Sequence, residues 1–130
     1  MLAILLLVSC QSKPVTGEPI SADSDSYQNV TPDELNTMLK NQDVVFVNVH
    51  IPFAGNIAGT DLSIPYDQIT KQSYLAHLPT DKSARIVLYC RSGRMSEIAA
   101  AELVSLGYTN IWNLAGGMVE WEKAGYTLAK

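Results

Sequence analysis

The chain is short of the residues on which covalent or metal-based scaffolding rests. It has only two cysteines in 130 residues, Cys10 and Cys90, and they stand in unlike surroundings. That excludes a disulfide framework, which needs paired cysteines at regular spacings. There are only two histidines, His50 and His77, and no paired Cys/His spacing. No zinc site is expected, and no other metal or cofactor. Positive charge is scarce as well: nine Lys and Arg against 13 Asp and Glu give a formal net charge of −4. So little basic surface argues against a nucleic-acid partner and against general binding to an anionic membrane surface. No apolar run reaches the roughly 20 residues that a bilayer-spanning helix requires. What remains is enough for one domain and too little for two, with 47% hydrophobic residues to build its core.

The strongly apolar stretch at the start reads Met1-Leu2-Ala3-Ile4-Leu5-Leu6-Leu7-Val8-Ser9-Cys10. It resembles the end of a bacterial lipoprotein signal peptide, in which small residues precede a cysteine that takes a thioether-linked lipid. That linkage requires a thiol, so Cys10 is the expected attachment point. The usual positively charged stretch ahead of the apolar run is missing. Residues 11–29 are rich in Ser, Pro, Gly, Asp and Glu and nearly free of large apolar side chains. They offer little to bury and read as a flexible tether. The expected organisation is a signal segment over residues 1–9, the lipidation cysteine and tether over 10–29, and a folded domain over 30–130. A lipid on Cys10 would hold that domain in the bacterial envelope, on the periplasmic or another extracytoplasmic side, without a transmembrane helix.

Within the domain, Thr31-Pro32-Asp33-Glu34 is a helix start: Thr31 caps, Pro32 suits the first helical position and Glu34 completes a capping box. Leu35, Met38 and Leu39 give its inward face. Val44-Val45-Phe46-Val47-Asn48-Val49 is a β-branched run, read as a strand buried on both faces. His50 to Thr60 reads as a loop, Leu62 to Ile64 as a short strand, and Tyr66 to Leu78 as helix, in one or two pieces. Arg85 to Tyr89 and Asn110 to Leu114 are further buried strands. Ser96 to Leu106 is the clearest helix, with Ile98, Ala99, Leu103 and Leu106 on or near one face and Gly107 as its stop. Gly116-Gly117 turns into a last helix, Met118 to Ala124, anchored by Trp121. Strands alternating with helices predict an α/β fold: a central, mainly parallel sheet flanked by helices on both faces.

The chemistry is concentrated in Tyr89-Cys90-Arg91-Ser92-Gly93-Arg94-Met95-Ser96. Cys90 ends a buried strand, and the next helix starts within a few residues. In parallel sheets, ligands bind outside the carboxyl ends of strands. N–H groups at a helix N-terminus face an anion, and the helix dipole favours negative charge there. Such surroundings favour a thiolate over a thiol. Arg91 and Arg94 add local positive charge to an acidic chain, which suits a small anionic ligand rather than a polyanion.

These residues carry a family resemblance. The Cys-Arg-Ser-Gly-Arg loop, the helix after it, Gly107-Tyr108, and Leu114-Ala115-Gly116-Gly117-Met118-Val119-Glu120-Trp121 together resemble a single-domain rhodanese, from about Val30 to the C-terminus. The resemblance implies the rhodanese-like three-layer fold. It implies a sulfurtransferase in which Cys90 takes sulfane sulfur from an anionic donor such as thiosulfate and becomes a persulfide. The sulfur then passes to cyanide, a thiol or a protein acceptor. The backbone of Arg91, Ser92, Gly93, Arg94, Met95 and Ser96 would cradle the anion. No general base is required if Cys90 is already a thiolate. The amino-terminal half departs from the pattern. Where many rhodaneses have Asp-x-Arg and then Gly-His-Ile-Pro-Gly-Ala, this chain has Asn48-Val49-His50 and Gly55-Asn56-Ile57-Ala58-Gly59-Thr60. An ion pair is thereby lost, and donor and acceptor preference become open. His50 is placed to line the pocket mouth, where imidazole titrates near neutral pH. Asp61 and Asp67 read as turn and helix-start residues rather than catalytic acids.

Two other readings share this sequence. A phosphatase or arsenate reductase would need Cys-x5-Arg, with the arginine gripping a tetrahedral oxyanion. Six residues after Cys90 stands Ser96, and Arg94 comes too early. A non-catalytic module could instead carry sulfur to a partner, bind an anion or sense redox state through Cys90.

Overall fold

A computed structural model describes residues 18–22 and 25–129 of the chain. Residues 1–17, including Cys10 and the signal-like segment, lie outside the described residues. The strands are β1 (Glu18–Ala22), β2 (Asp25–Val30), β3 (Val45–Asn48), β4 (Asn56–Ile57), β5 (Leu62–Ser63), β6 (Ile86–Tyr89), β7 (Ile111–Leu114) and β8 (Leu128–Ala129). The helices are α1 (Pro32–Asn41), α2 (Gln72–Leu75), α3 (Arg94–Ser105) and α4 (Gly117–Lys123). Six strands form one sheet in the order β1-β2-β7-β6-β3-β5, and β4 pairs with β8 in a small second sheet. From β2 to β5 every pairing in the large sheet is parallel, and β1 is an antiparallel edge.

Strand side chains alternate between two cores. Val47, Val49, Ile86, Leu88 and Cys90 face one cluster with Ala99, Ala100 and Leu103 of α3. Phe46, Val87, Tyr89, Trp112 and Leu114 face the other, with Leu35 and Met38 of α1 and Met118 and Trp121 of α4. This is the period of two of a strand covered on both sides. It gives the expected three layers and puts the Cys90 side chain on the α3 face.

Local signals fix the helix ends. Glu34 N–H donates to Thr31 Oγ1 at 3.2 Å, and Thr31 N–H donates to Glu34 Oε1 at 3.0 Å, which is the capping box. At the end of α3, Tyr108 N–H reaches Leu103 O at 3.2 Å and Gly107 N–H reaches Val104 O at 3.0 Å. Gly107 holds φ +95°, a conformation that glycine adopts without strain.

Four expectations are corrected. The tether does not extend to residue 29, because Asp25–Val30 is strand β2, in register with β7 through Gln28↔Trp112 and Asn29↔Asn113. Its ladder is a long-range one, and Tyr27 and Val30 are its buried side chains. The loop after β3 is not wholly irregular, since Asn56 and Ile57 pair with Ala129 and Leu128. The stretch from Tyr66 to Leu78 is mostly turns, and only Gln72–Leu75 is helical. Finally, Ile98 and Leu106 are 42% and 39% exposed, while the expected Ala99 and Leu103 are buried together with Ser96, Ala100 and Val104. Small side chains let that helix approach the sheet closely, so Ala99 and Ala100 share the inner face with Leu103.

Candidate active site

Cys90 lies at the carboxyl end of β6, one residue past the last paired position. It is 1% exposed and is the free cysteine of the described residues. Gly93 N–H donates to Cys90 Sγ at 3.0 Å. The Ser96 hydroxyl stands 3.4 Å from the same sulfur and 3.1 Å from Gly93 O. Gly93 caps α3 with φ +102°, a left-handed turn that folds the chain back over the sulfur. The first N–H groups of a helix have no intrahelical partner, so the start of α3 presents donors and its positive dipole end to the sulfur. The Gly93 N–H and the Ser96 hydroxyl thus both lie within reach of the sulfur.

The other loop residues divide by position. Arg91, Ser92 and Arg94 are exposed, and Met95 packs partly against the core. Among the described residues the one ion pair is Lys123–Glu120, so neither loop arginine is neutralised by a carboxylate. Their charge stays available to an incoming anion. Ser96 is fully buried. It fills the position where a phosphatase-type loop would carry its arginine, and its hydroxyl lies between Gly93 O and the sulfur.

The loop is braced from behind by α4. Met118 N–H donates to Cys90 O at 2.9 Å, and Val119 N–H donates to Arg91 O at 3.0 Å. Those carbonyls are thereby turned away from the sulfur. Gly117 makes the approach possible, since a Cβ there would overlap the Cys90 carbonyl oxygen and stand 2.7 Å from that of Arg91. The glycine pair was legible as a turn; that it presses on the cysteine loop was not.

The departures after β3 form a neutral network. Asn48 is fully buried. Its Nδ2 donates to Gly55 O and to Asn56 Oδ1, both at 2.9 Å, and its Oδ1 accepts His50 N–H at 3.0 Å. Ile57 N–H donates to the Tyr89 hydroxyl at 3.0 Å, and Thr60 Oγ1 lies 2.6 Å from it. Burial, foremost, raises the Tyr89 pKa above its usual 10.0, so the phenol stays neutral. An amide pair thus bridges the loop where the family pattern implies charged partners. A polar residue inside the run Val-Phe-Val-Asn-Val was the available signal, because a buried amide must be hydrogen-bonded. Asp61 accepts Phe46 N–H at 2.8 Å and so braces β3, consistent with a structural rather than catalytic carboxylate.

His50 follows β3 beside the Cys90 loop and is half-buried, with Nδ1 covered and without a partner. Burial first, and then the Arg91 guanidinium, lower its pKa below the usual 6.5. Between pH 6.5 and that lowered value the unfolded chain binds the proton and the folded chain does not. The contribution to stability is therefore complete above about pH 6.5 and is lost as pH falls through the folded value. Replacing His50 by Gln should flatten the decline of the urea midpoint as pH falls below about 6.5. An unchanged slope would show that His50 does not couple to folding. Among the described residues no group of His, Cys, Asp and Glu could hold a metal ion, and no helix is long and apolar enough to cross a membrane.

Comparison with known proteins converges on the same segment. The rhodanese-like domain family model matches residues 31–124. A tRNA uridine(34) hydroxylase of Erwinia tasmaniensis is 32% identical over 113 residues, which is 84% of this chain and 32% of that protein. The chain spans about a third of the length of this and other curated relatives of that name. The solved structure of a rhodanese-related protein from Thermoplasma volcanium superposes with a TM-score of 0.66 at 24% identity, over 79% of this chain and 98% of that one. A thiosulfate sulfurtransferase from Pseudomonas aeruginosa gives 0.66 at 23% identity, over 78% of this chain and 20% of that one. The parallel strands β3, β5, β6 and β7, the cysteine at the end of β6 and the loop closed by α3 all fall within the matched residues, and the chain belongs to the rhodanese-like domain family.

Proposed function

We propose that this domain is a sulfurtransferase that carries sulfane sulfur on Cys90. The observation that supports it most is the Gly93 N–H aimed at Cys90 Sγ from 3.0 Å at the N-terminus of α3. A thiolate in that cradle is a ready nucleophile. Cys90 attacks the outer sulfur of an anionic donor such as thiosulfate. A sulfur–sulfur bond forms on Cys90, and sulfite leaves with the electron pair of the bond that breaks. A thiophilic acceptor, cyanide or a thiolate, then attacks the outer sulfur of the persulfide. The Cys90 thiolate departs with its electron pair, and the enzyme is restored. Unpaired Arg91 and Arg94 supply the positive field that draws a small anion to an acidic protein. Ser96, six residues after Cys90 where a phosphatase-type loop carries its arginine, supports sulfur transfer over phosphoryl transfer.

The test is intact mass after incubation with thiosulfate, followed by cyanide. The native protein should gain one sulfur atom and lose it to cyanide with release of thiocyanate. Cys90→Ser should gain none. Sulfur on the Cys90→Ser variant would overturn the assignment, and no gain on the native protein from thiosulfate, mercaptopyruvate or polysulfide would overturn the reaction. The sequence Leu7-Val8-Ser9-Cys10 supports attachment of the domain to the envelope through a lipid on Cys10. Labelling of cells with radioactive palmitate should then mark the native chain and not Cys10→Ala.

A further inference from the structure

The amino ends of the central strands hold a cation that sulfur transfer does not use. Arg85 stands just ahead of β6, and its carbonyl accepts Val45 N–H, the first residue of β3, at 3.0 Å. The side chain is half-buried, with its guanidinium carbon 5.3 Å from the centre of the Trp112 ring. Its Nε is covered and has no hydrogen-bond partner, and no carboxylate among the described residues stands within ion-pair distance. A guanidinium partly withdrawn from water without a counter-charge is costly. An anion on its open side offsets that cost. The other charges flanking Arg85 in the chain are engaged. Lys82 Nζ donates to Leu106 O at 2.8 Å and lies over the Tyr108 ring. Asp81 Oδ1 accepts the Ser83 N–H at 2.9 Å and the Ser83 hydroxyl at 2.7 Å.

A cavity of about 330 Å³ opens here, lined by Asp43, Val44, Val45, Ala84 and Arg85. We infer that it is a second binding site, separate from the Cys90 loop, for a monocarboxylate with a small apolar body. The planar fork of Arg85 matches a carboxylate. Val44, Val45 and Ala84 give the wall for the apolar body, and the volume is that of a site for a small molecule. Asp43 is exposed and stands too far from Arg85 to pair with it. Its charge opposes a second negative charge on the ligand, so sulfate and phosphate suit the site poorly. Five residues of extended chain put Arg85 about 17 Å from Cys90, at the other end of β6. A ligand held there does not reach the sulfur, so the inference goes beyond sulfur transfer and does not rest on it. A free carboxylic acid and the C-terminus of an apolar peptide share the required chemistry.

Titration of the isotope-labelled full chain with isovalerate tests the site. Saturable shifts of the Val44, Val45 and Arg85 amides are expected. The alcohol 3-methylbutanol, of the same shape without the charge, should give no saturable shift. Arg85→Gln should weaken isovalerate binding about fivefold, the loss of one charge-assisted pair. The sulfur that the native chain loads from thiosulfate should be the same in that variant by intact mass. Asp43→Asn, a change at an exposed side chain, should let sulfate shift the same amides, which it should not do in the native protein. An N-acetylated alanyl-valine peptide separates the two sources. Binding tighter than that of isovalerate assigns the site to peptide C-termini, equal binding assigns it to free acids, and the amidated peptide should not bind. Isovalerate shifts that do not saturate, that persist undiminished in Arg85→Gln, or that the alcohol matches overturn the site. Shifts confined to Gly93 and its neighbours in the cysteine loop overturn it as well.

Discussion

Gly117→Ala should destabilise the fold by roughly 2–4 kcal/mol and abolish persulfide formation on Cys90. The backbone of Gly117 lies directly against the cysteine loop, and an added Cβ would overlap the Cys90 carbonyl oxygen. Backbone atoms on both sides leave no flexible side chain to absorb the overlap. Either α4 withdraws or the loop does, and both break the bonds from Met118 and Val119 to the loop carbonyls. Once those carbonyls are free to turn, the donors around the sulfur are no longer fixed. The φ of +60° adds strain for any residue with a Cβ. Gly116→Ala is the contrast for loop contact alone: its added Cβ, at a φ of +74°, strains the turn and crowds Glu120, with its Cβ at 2.8 Å, but no atom of the cysteine loop. A urea denaturation curve and the mass assay together check the prediction. A native midpoint with native sulfur loading would mean that α4 is not seated against the loop as described.

Asn48→Ala should destabilise by roughly 3 kcal/mol while sparing sulfur loading in whatever fraction remains folded. The side chain is fully buried and serves Gly55 O, Asn56 Oδ1 and His50 N–H. Truncation leaves Gly55 O and His50 N–H without this partner, while Asn56 Oδ1 keeps the Tyr89 hydroxyl at 3.3 Å. Each buried group so abandoned costs about 1–3 kcal/mol, reduced wherever water can enter. The loss falls on the segment after β3, which packs by way of Tyr89 onto the strand carrying Cys90. It does not fall on the Gly93 donor, so the sulfur cradle persists below the unfolding transition. Denaturation midpoints measure the first part, and mass after thiosulfate treatment measures the second. A change under about 1 kcal/mol would show that the amide bridge is dispensable. Loss of loading in folded protein would show that it positions the cysteine after all.

The two predictions sit on opposite sides of what a linear reading can see. Asn48 was visible as a departure from the family pattern, but its meaning needed its partners: Gly55 and Asn56 lie seven and eight residues on and reach it only when the loop folds back. Gly117 was visible as a turn, but the contact that makes it indispensable spans 27 residues, to Cys90. The same holds for Ser96. It read as part of the backbone cradle, and only the fold shows its hydroxyl buried against the sulfur.

By itself the sequence determined what depends on neighbours a few residues apart. It set the capping box of α1, the stop at Gly107, the buried runs of β3, β6 and β7, and the order strand, cysteine, glycine turn, helix on which the proposed role of Cys90 rests. From those follow the α/β class and the family. Tertiary structure decided what depends on partners far along the chain. It made a strand of the polar residues 25–30 by laying them beside β7, because a backbone ladder needs no hydrophobic side chains of its own. It joined Asn56 and Ile57 to the C-terminal strand, turned Ala100 inward and Ile98 outward, and put Asp43 and Arg85 on one cavity. Local patterns encode propensity and periodicity, which act within a few turns or strands. Packing, backbone contact and charge placement arise between segments that meet only after the chain has folded, and no window of sequence holds both members of such a pair.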